Sequence, residues 1–357
     1  LTKEKKELGM GMKILVISPP VLGTPPPDRG YSGIERVAAW LVKGLTELGH
    51  EVDLMARSDS LVPENGTLYG IKDERDIADT IKIIEDSGPG YSAILDWTHD
   101  HLLSLRRPEL PIVNTSSVMS LTGSGLNPVL ISRGQAAGIN FKDHETKVIH
   151  YGLDLDEYPL YVGPREDYLL YLGQLIDGKR IEWACEVALA TGRPLRIHGP
   201  GWGRKEYHDL LRGYEAKSNG LIRILGEIGG QEKIETLQKA SVLIHPVGGA
   251  DTGGGQWTEA GAICVLEALA VGAPCLTSRN GCLPEYMDGY QVGYAVDTLE
   301  EMIECMKHEA MLFSPEDCRR RAEDFTYMKM ARAYSDLANQ VAGGLRWNVK
   351  NAIVVEK

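Results

Sequence analysis

KILVIS (Lys13–Ser18) is a short apolar run rich in β-branched side chains, and it stops at Pro19-Pro20. Its length and its proline stop read as a strand buried on both faces, as in a parallel sheet. The segment from Pro19 to Ser32 is rich in Pro and Gly and reads as a loop. From Gly33 onward, apolar residues fall at Ile34, Val37, Ala38, Leu41, Leu45 and Leu48, and Gly49 follows. That spacing is the stripe of one helix face, closed by a glycine. Glu51–Met55 reads as the next strand. Strand, helix and strand in so short a span form a βαβ unit.

The same grammar restarts at Asp167. Tyr168–Leu172 (YLLYL) reads as a strand, Gly173–Lys179 as a loop, Ile181–Ala190 as a helix and Pro194–His198 as a strand. Val242–His245 and Pro274–Ser278 follow, each beside a helix. The chain has 357 residues, and a single core rarely grows beyond ~250–300 residues. Two α/β domains are therefore expected, with their boundary near Gly152–Pro164. Two such domains facing each other leave a cleft, the usual place for a ligand.

Composition excludes several classes of function. With 43% hydrophobic and 25% charged residues, the chain is neither disordered nor fibrous. The longest apolar candidate, Gly261 to Leu276, is broken by Glu267, so no transmembrane span is expected. Leu1–Gly11 is charged and lacks the apolar core of a signal peptide; Met12 reads as a natural start. The net charge of −12, with no strongly basic block, argues against nucleic acid as a partner and against strong membrane association. None of the six cysteines stands in a Cys-x-x-Cys, which reads as reduced thiols and a cytoplasmic protein.

The stretch richest in chemistry is Gly248–Pro274, GGADTGGGQWTEAGAICVLEALAVGAP. A glycine-rich loop runs into an apolar helix, and the backbone N–H groups at such a junction attract anions. Glu259 stands at the helix entry and Glu267 eight residues on, ~12 Å further along the axis if the helix is continuous. That span suits a nucleotide sugar: one carboxylate on sugar hydroxyls, one on ribose, the diphosphate between them. Two glutamates eight apart also occur as plain surface acids. Glu267, however, is bracketed by Val265, Leu266, Ala268 and Leu269, and a buried carboxylate needs a partner.

These residues resemble the donor-site signature of the retaining glycosyltransferases of family 4, which have the GT-B fold. That signature reads E-P-F-G-x-x-x-x-E-A-M-A-x-G-x-P-V. Further matches follow in order. Ser32 to Val37 resembles G-G-x-E-R-V, Asp96 to His101 resembles D-x-x-H-x-H, and Gly152 to Asp154 resembles N-G-x-D. Gly173 to Lys179 resembles G-R-L-x-x-x-K, His198 to Gly201 resembles a G-x-G after a strand, and Gly281 to Glu285 resembles G-G-x-x-E. The resemblance covers Met12 to about Tyr334. It implies two Rossmann-like α/β domains facing each other across a cleft. Residues 12–157 would bind the acceptor and 158–325 the nucleotide-sugar donor, with 326–357 packing back on the first domain. It implies Glu259, Lys179 and His101 as catalytic residues. Gly33, Gln174, Ile228, Gly261, Ala262, Ile263 and Glu267 would bind the donor. No metal or other cofactor is expected, since Asp154-Leu155-Asp156 lies at the linker and not in a nucleotide site.

The implied reaction moves a hexose from a nucleoside diphosphate sugar, UDP ahead of GDP, to an acceptor hydroxyl by front-face displacement. A soluble sugar or small molecule is the expected acceptor. The chain departs from the pattern in four of these motifs: at Ser32, at Gln174 for the phosphate-binding Arg, at Ala260-Gly261-Ala262 for P-F-G, and at Tyr151 for the linker Asn. Arg180 and Arg279 are candidates to replace the missing charge. The alternatives within the fold are a sugar-nucleotide epimerase or glycoside phosphorylase, or a nucleotide-sugar binding protein with impaired catalysis. His99 and His101, two apart, would share a face if on a strand, which leaves a metal pair or a structural pair open at those positions.

Overall fold

The computed structural model describes residues 11–27, 32–87, 90–117, 126–138, 147–249, 256–307 and 312–347. The first domain alternates strands and helices: β1 (Lys13–Ile17), α1 (Ile34–Glu47), β2 (Glu51–Arg57), β3 (Leu68–Ile71), α2 (Ile77–Ser87), β4 (Ala93–Asp96), α3 (Leu102–Arg106), β5 (Ile112–Ser116), β6 (Pro128–Leu130), α4 (Arg133–Gly138) and β7 (Lys147–Val148). The strands form one parallel sheet in the order β3-β2-β1-β4-β5-β6-β7. Leu15, Val16 and Ile17 are fully buried, as a strand covered on both faces requires.

The second domain continues with β8 (Leu169–Leu172), α5 (Ile181–Thr191), β9 (Leu195–His198), α6 (Lys205–Lys217), β10 (Ile222–Gly226), α7 (Gly230–Lys239), β11 (Val242–His245), α8 (Ile263–Ala270), β12 (Cys275–Ser278), α9 (Leu283–Met287), β13 (Gly293–Val296), α10 (Leu299–Lys307) and α11 (Pro315–Ala322). Its strands are also all parallel, in the order β10-β9-β8-β11-β12-β13. The chain order reverses between β1 and β4 in one sheet and between β8 and β11 in the other. Loops leaving the carboxyl ends of such strands diverge and open a crevice.

Two chain crossings join the domains, and they touch. The Leu153 N–H donates to the Phe325 carbonyl at 2.9 Å, and the Tyr327 N–H donates to the Leu153 carbonyl at 3.0 Å. A Cβ on Gly152 would sit 2.5 Å from the Thr326 carbonyl oxygen, so a side chain there would push the crossings apart. Asp154 accepts the Asp156 N–H at 3.0 Å and pairs with Lys43, which fixes the linker to α1.

The last helix, α12 (Tyr327–Ala342), lies on α1 and against β4 and β5 of the first sheet. The Tyr334 hydroxyl meets the Thr115 hydroxyl at 2.9 Å, and His50 Nε2 meets Ser335 Oγ at 2.7 Å. Trp347 then donates its indole N–H to the Pro128 carbonyl at 3.0 Å. All six cysteines are free thiols. Among the described residues no helix is long and apolar enough to cross a membrane.

Candidate active site

The loops leaving β1, β4, β8 and β11 meet around a cleft of about 280 Å³ between the domains. From the second domain, the β8–α5 loop brings Gln174 and Lys179 to it, and the segment before α7 brings Ile228 and Gly229. The chain entering α8 brings Trp257, Glu259, Gly261, Ala262, Ile263 and Cys264, with Glu267 one turn deeper. From the first domain, the start of α1 brings Ser32, Gly33, Ile34, Glu35 and Arg36, and the loop after β4 brings His99. A hollow of about 450 Å³ lies at the other end of the second sheet, beside Ser241 and Pro274. There Arg165 donates to the Gln238, Ala240 and Val271 carbonyls, a structural clasp.

Glu259 is 6% exposed and Lys179 5%. The Lys179 ammonium contacts Glu259 Oε2, and His245 Nε2 stands 3.5 Å from the same oxygen. The Trp257 ring lies 5.4 Å from Lys179 Nζ and walls the pair on one side. Burial favours a neutral Glu259, but Lys179 and then His245 outweigh it and pull the carboxyl pKa down to about 2. Asn280 fixes the backbone here, accepting the Glu259 N–H at 2.8 Å and donating to the Trp257 carbonyl at 3.1 Å.

Glu259 is not part of the helix. α8 begins at Ile263, so the continuous-helix spacing expected between Glu259 and Glu267 does not hold. The chain reaches α8 through Gly261 and Ala262, and no side chain caps its first turn. No side chain therefore competes for the first N–H groups of α8, although the Val265 N–H already donates to the Ala262 carbonyl at 3.1 Å. A Cβ on Gly261 would lie 2.7 Å from Ile131 Cδ1 and 3.0 Å from the Tyr151 ring. Only glycine lets this segment close against the first domain. Gly33 is under no such demand, since a Cβ there would meet only Ile263 Cγ2, at an ordinary 3.4 Å.

Glu267 is 2% exposed and fully partnered on one oxygen. Its Oε1 accepts the Tyr158 hydroxyl at 2.6 Å and the Lys233 ammonium at 2.6 Å. Burial, and then the Glu267 carboxylate, hold the Tyr158 phenol well above its ordinary pKa. Lys233 reaches down from α7 and itself lines the cleft.

Gln174 lines the cleft at the position where the resemblance implies a phosphate-binding arginine, and neither arginine expected to replace it lines the cleft. Arg180 does not line the cleft; its guanidinium donates to the Gly248 carbonyl and stacks on Trp183 at 4.4 Å. Arg279 is also turned away, bound to Asp288 at 2.6 Å and the Ala295 carbonyl at 2.8 Å. Both are spent on fixing their own loops. Lys179, Lys233 and Arg36 are the lysine and arginine side chains that line the cleft among the described residues.

His101 does not line the cleft. β4 ends at Asp96, whose Oδ1 accepts the Thr98 N–H at 2.9 Å and the Thr98 hydroxyl at 2.7 Å. The chain turns there, so His99 and His101 are not on a strand. His101 enters α3 with φ at 48°, 2% exposed, its Nδ1 3.8 Å from Asp96 Oδ1. His99 faces the cleft instead, and Glu74 at 3.7 Å raises its pKa against the effect of burial. Glu285 lies between the domains outside the cleft, accepting the Gly134 N–H at 2.6 Å and meeting His150 Nε2 at 2.7 Å. Among the described residues no group of three or more His, Cys, Asp or Glu side chains is placed to hold a metal ion.

Sequence reasoning assigned no role to Arg36, Lys233, His245, Trp257 or Tyr158. Arg36 stood inside a quoted motif without a job. Lys233 looks like any solvated helix lysine, and only the fold reveals that it reaches Glu267.

Residues 166–308 match the family Glycosyl transferases group 1. No match to the chain is found among curated proteins. Solved structures that share its architecture include the following three. AviGT4, a glycosyltransferase involved in avilamycin A biosynthesis, is 24% identical over 94% of this chain and 100% of its own, with a TM-score of 0.80. Sucrose-phosphate synthase from Thermosynechococcus elongatus is 15% identical over 94% and 100%, with a TM-score of 0.74. The Anabaena protein HepE, in complex with UDP-glucose, is 12% identical over 91% and 98%, with a TM-score of 0.65. By architecture the chain has the GT-B fold, and the match to glycosyl transferases group 1 lies within its second domain.

Proposed function

We propose that the chain transfers a hexose from a nucleoside diphosphate sugar to an acceptor hydroxyl with retention of anomeric configuration, without a metal or other cofactor. The observation that carries this reading is one arrangement. Two buried carboxylates, Glu259 and Glu267, flank the uncapped start of α8, and Lys179 and Lys233 stand beside them. A diphosphate at the helix start meets free N–H groups and a positive dipole end. Glu267 then accepts from the ribose hydroxyls and Glu259 from the sugar hydroxyls. A UDP-sugar is the first choice of donor and a GDP-sugar the second; the UDP-glucose complex of the Anabaena protein supports that order.

In the transfer, the bond from the anomeric carbon to the β-phosphate oxygen breaks and the bond to the acceptor oxygen forms on the same face. The acceptor proton passes to the leaving phosphate oxygen. Lys179 and the α8 amides stabilise the charge that builds on the diphosphate. Glu259, engaged by Lys179 and His245, serves as an oriented acceptor of hydrogen bonds and not as a nucleophile. The acceptor is a soluble sugar or small molecule bound along the first-domain wall, at Glu35, Ser32 and His99.

Calorimetric titration of UDP, GDP, ADP and dTDP, with and without EDTA, tests the donor reading. Micromolar binding of UDP that is insensitive to EDTA and weakened in Glu267→Ala supports it. Failure of every nucleotide to bind, or loss of binding in EDTA, refutes it. An inverted anomeric product in the NMR spectrum would refute front-face transfer alone.

A further inference from the structure

Glu259 Oε2 has two nitrogen neighbours, and both residues line the cleft. Lys179 is in direct contact with it. His245 ends β11 beneath it, 1% exposed, with Nε2 3.5 Å from the oxygen. That nitrogen is fully buried and has no hydrogen-bond partner in the present arrangement. It stands a few tenths of an ångström beyond hydrogen-bond reach. The other nitrogen, Nδ1, lies 3.7 Å from Cys264 Sγ at the start of α8. From β8 the Tyr171 ring lies over the imidazole, centroids 6.0 Å apart and planes 15° apart, with its hydroxyl turned to the Gln174 carbonyl. From β12 the residue in register is Thr277, which is uncharged. The titratable groups facing His245 are therefore Glu259, Cys264 and Tyr171, with Lys179 behind Glu259.

A buried polar nitrogen without a partner is costly and calls for a reason. Donor binding supplies one. A diphosphate at the α8 start competes with Glu259 for the Lys179 ammonium. Without Lys179, Glu259 becomes a buried carboxylate that has lost its nearest cation, and it would take up a proton. A protonated Glu259 would turn one of its oxygens into a donor and lose the charge that strengthens the bonds it accepts from sugar hydroxyls. We propose that His245 is a positioning residue, an imidazolium that takes over Glu259 when the donor diphosphate draws Lys179 away and so keeps Glu259 an ionised acceptor for the sugar. This rests on the donor reading of the cleft. The charge state agrees with the geometry: burial opposes a charge on His245, but Cys264 and Glu259 outweigh it and raise its pKa to about 9. The imidazolium is thus in place at neutral pH before the donor arrives.

The test pairs a spectroscopic readout with kinetics on the full chain. Histidine 15N shifts report the charge on His245, assigned by the resonance lost in His245→Gln. The expected result is an imidazolium at neutral pH in the free protein and an upward shift of its pKa on saturation with UDP. His245→Gln keeps a donor amide but no charge. It is expected to bind UDP within about two-fold of wild type, to lose about ten-fold or more in kcat, and to lack the alkaline fall in kcat that the proposal expects of wild type. A neutral imidazole in the UDP complex at neutral pH overturns the proposal, as does a His245→Gln protein with wild-type kcat and pH profile. If His245→Gln does not fold, the wild-type spectra with and without UDP decide alone, with the assignment taken from His245→Asn. If wild type binds no nucleotide, the donor reading itself has failed, and the titration shows that before any variant is made.

Discussion

The cleft is entered by two helices from opposite walls, and their first turns are unlike. α1 starts at Ile34 with an acid in its first turn: Glu35 is 3% exposed, its N–H donates to Ser32 Oγ at 3.3 Å, and its Oε1 accepts the Leu22 N–H at 3.3 Å. α8 starts at Ile263 with no acid in its first turn and no side-chain cap. The nearest carboxylate, Glu259, is already matched by Lys179 and His245. Both helices follow strands of a parallel sheet, so topology alone gives each a positive end facing the cleft. The first wall answers that end with its own carboxylate, and the second leaves it unanswered. Under the proposed function, this contrast assigns the donor diphosphate to α8 and the acceptor to α1.

Removing Lys179 should damage this asymmetry most. Lys179→Ala takes away the phosphate-side charge and one partner of Glu259 together. Losing one member of a buried ion pair costs about 3–5 kcal/mol. His245 remains 3.5 Å away and softens the loss, so kcat/KM for the donor should fall by ~100-fold or more, at about 1.4 kcal/mol per decade. Retention of more than a tenth of wild-type kcat/KM would mean that the bare start of α8 suffices. Glu267→Ala should come next. A hydrogen bond to a charged group is worth ~1.5–3 kcal/mol, so the UDP Kd should weaken by ~10–100-fold while kcat at saturating donor changes less. An unchanged Kd would place the ribose elsewhere.

A smaller effect should run the other way. Gln174→Arg adds a cation on the α8 side of the cleft, where charge-assisted bonds are roughly twice as strong as neutral ones. UDP should bind a few-fold tighter. Arg180→Met should leave the Kd unchanged, because Arg180 is committed to Gly248 and Trp183. If Gln174→Arg binds UDP no tighter, Lys233 and Arg36 already saturate the diphosphate.

The sequence makes the two walls unequally legible. KILVIS, YLLYL and VLIH are short buried runs between breakers, and each became a central strand next to a switch point. The position of α8 was readable from its glycine approach, and the burial of Glu267 from its apolar neighbours. The pairing of Lys179 with Glu259 spans 80 residues of chain, and no local pattern encodes a contact made through tertiary packing. Lys233 was hidden for the same reason. The shared face expected of His99 and His101 does not form, because the turn after Asp96 ends the strand and alternation holds only while the strand lasts.

The finest discrimination between the two helix starts comes from Glu35. A carboxylate at a helix start is favoured by the dipole, and His99 and Arg57 favour it too. Burial works the other way and prevails, so the Glu35 pKa stands above its ordinary value of 4.5. A group whose pKa is raised on folding contributes stability that is complete below its unfolded pKa and lost as pH rises through its folded pKa. Glu35→Gln keeps the acceptor oxygen for the Leu22 N–H and removes the charge. Its thermal stability should equal that of wild type at a pH below about 4.5, where both side chains are neutral, and should exceed it at neutral pH. A variant less stable than wild type at neutral pH would mean that the positive end of α1 needs its carboxylate more than burial resists it. The first wall would then repel an anionic donor more strongly, and the contrast with α8 would be greater than the burial of Glu35 alone implies.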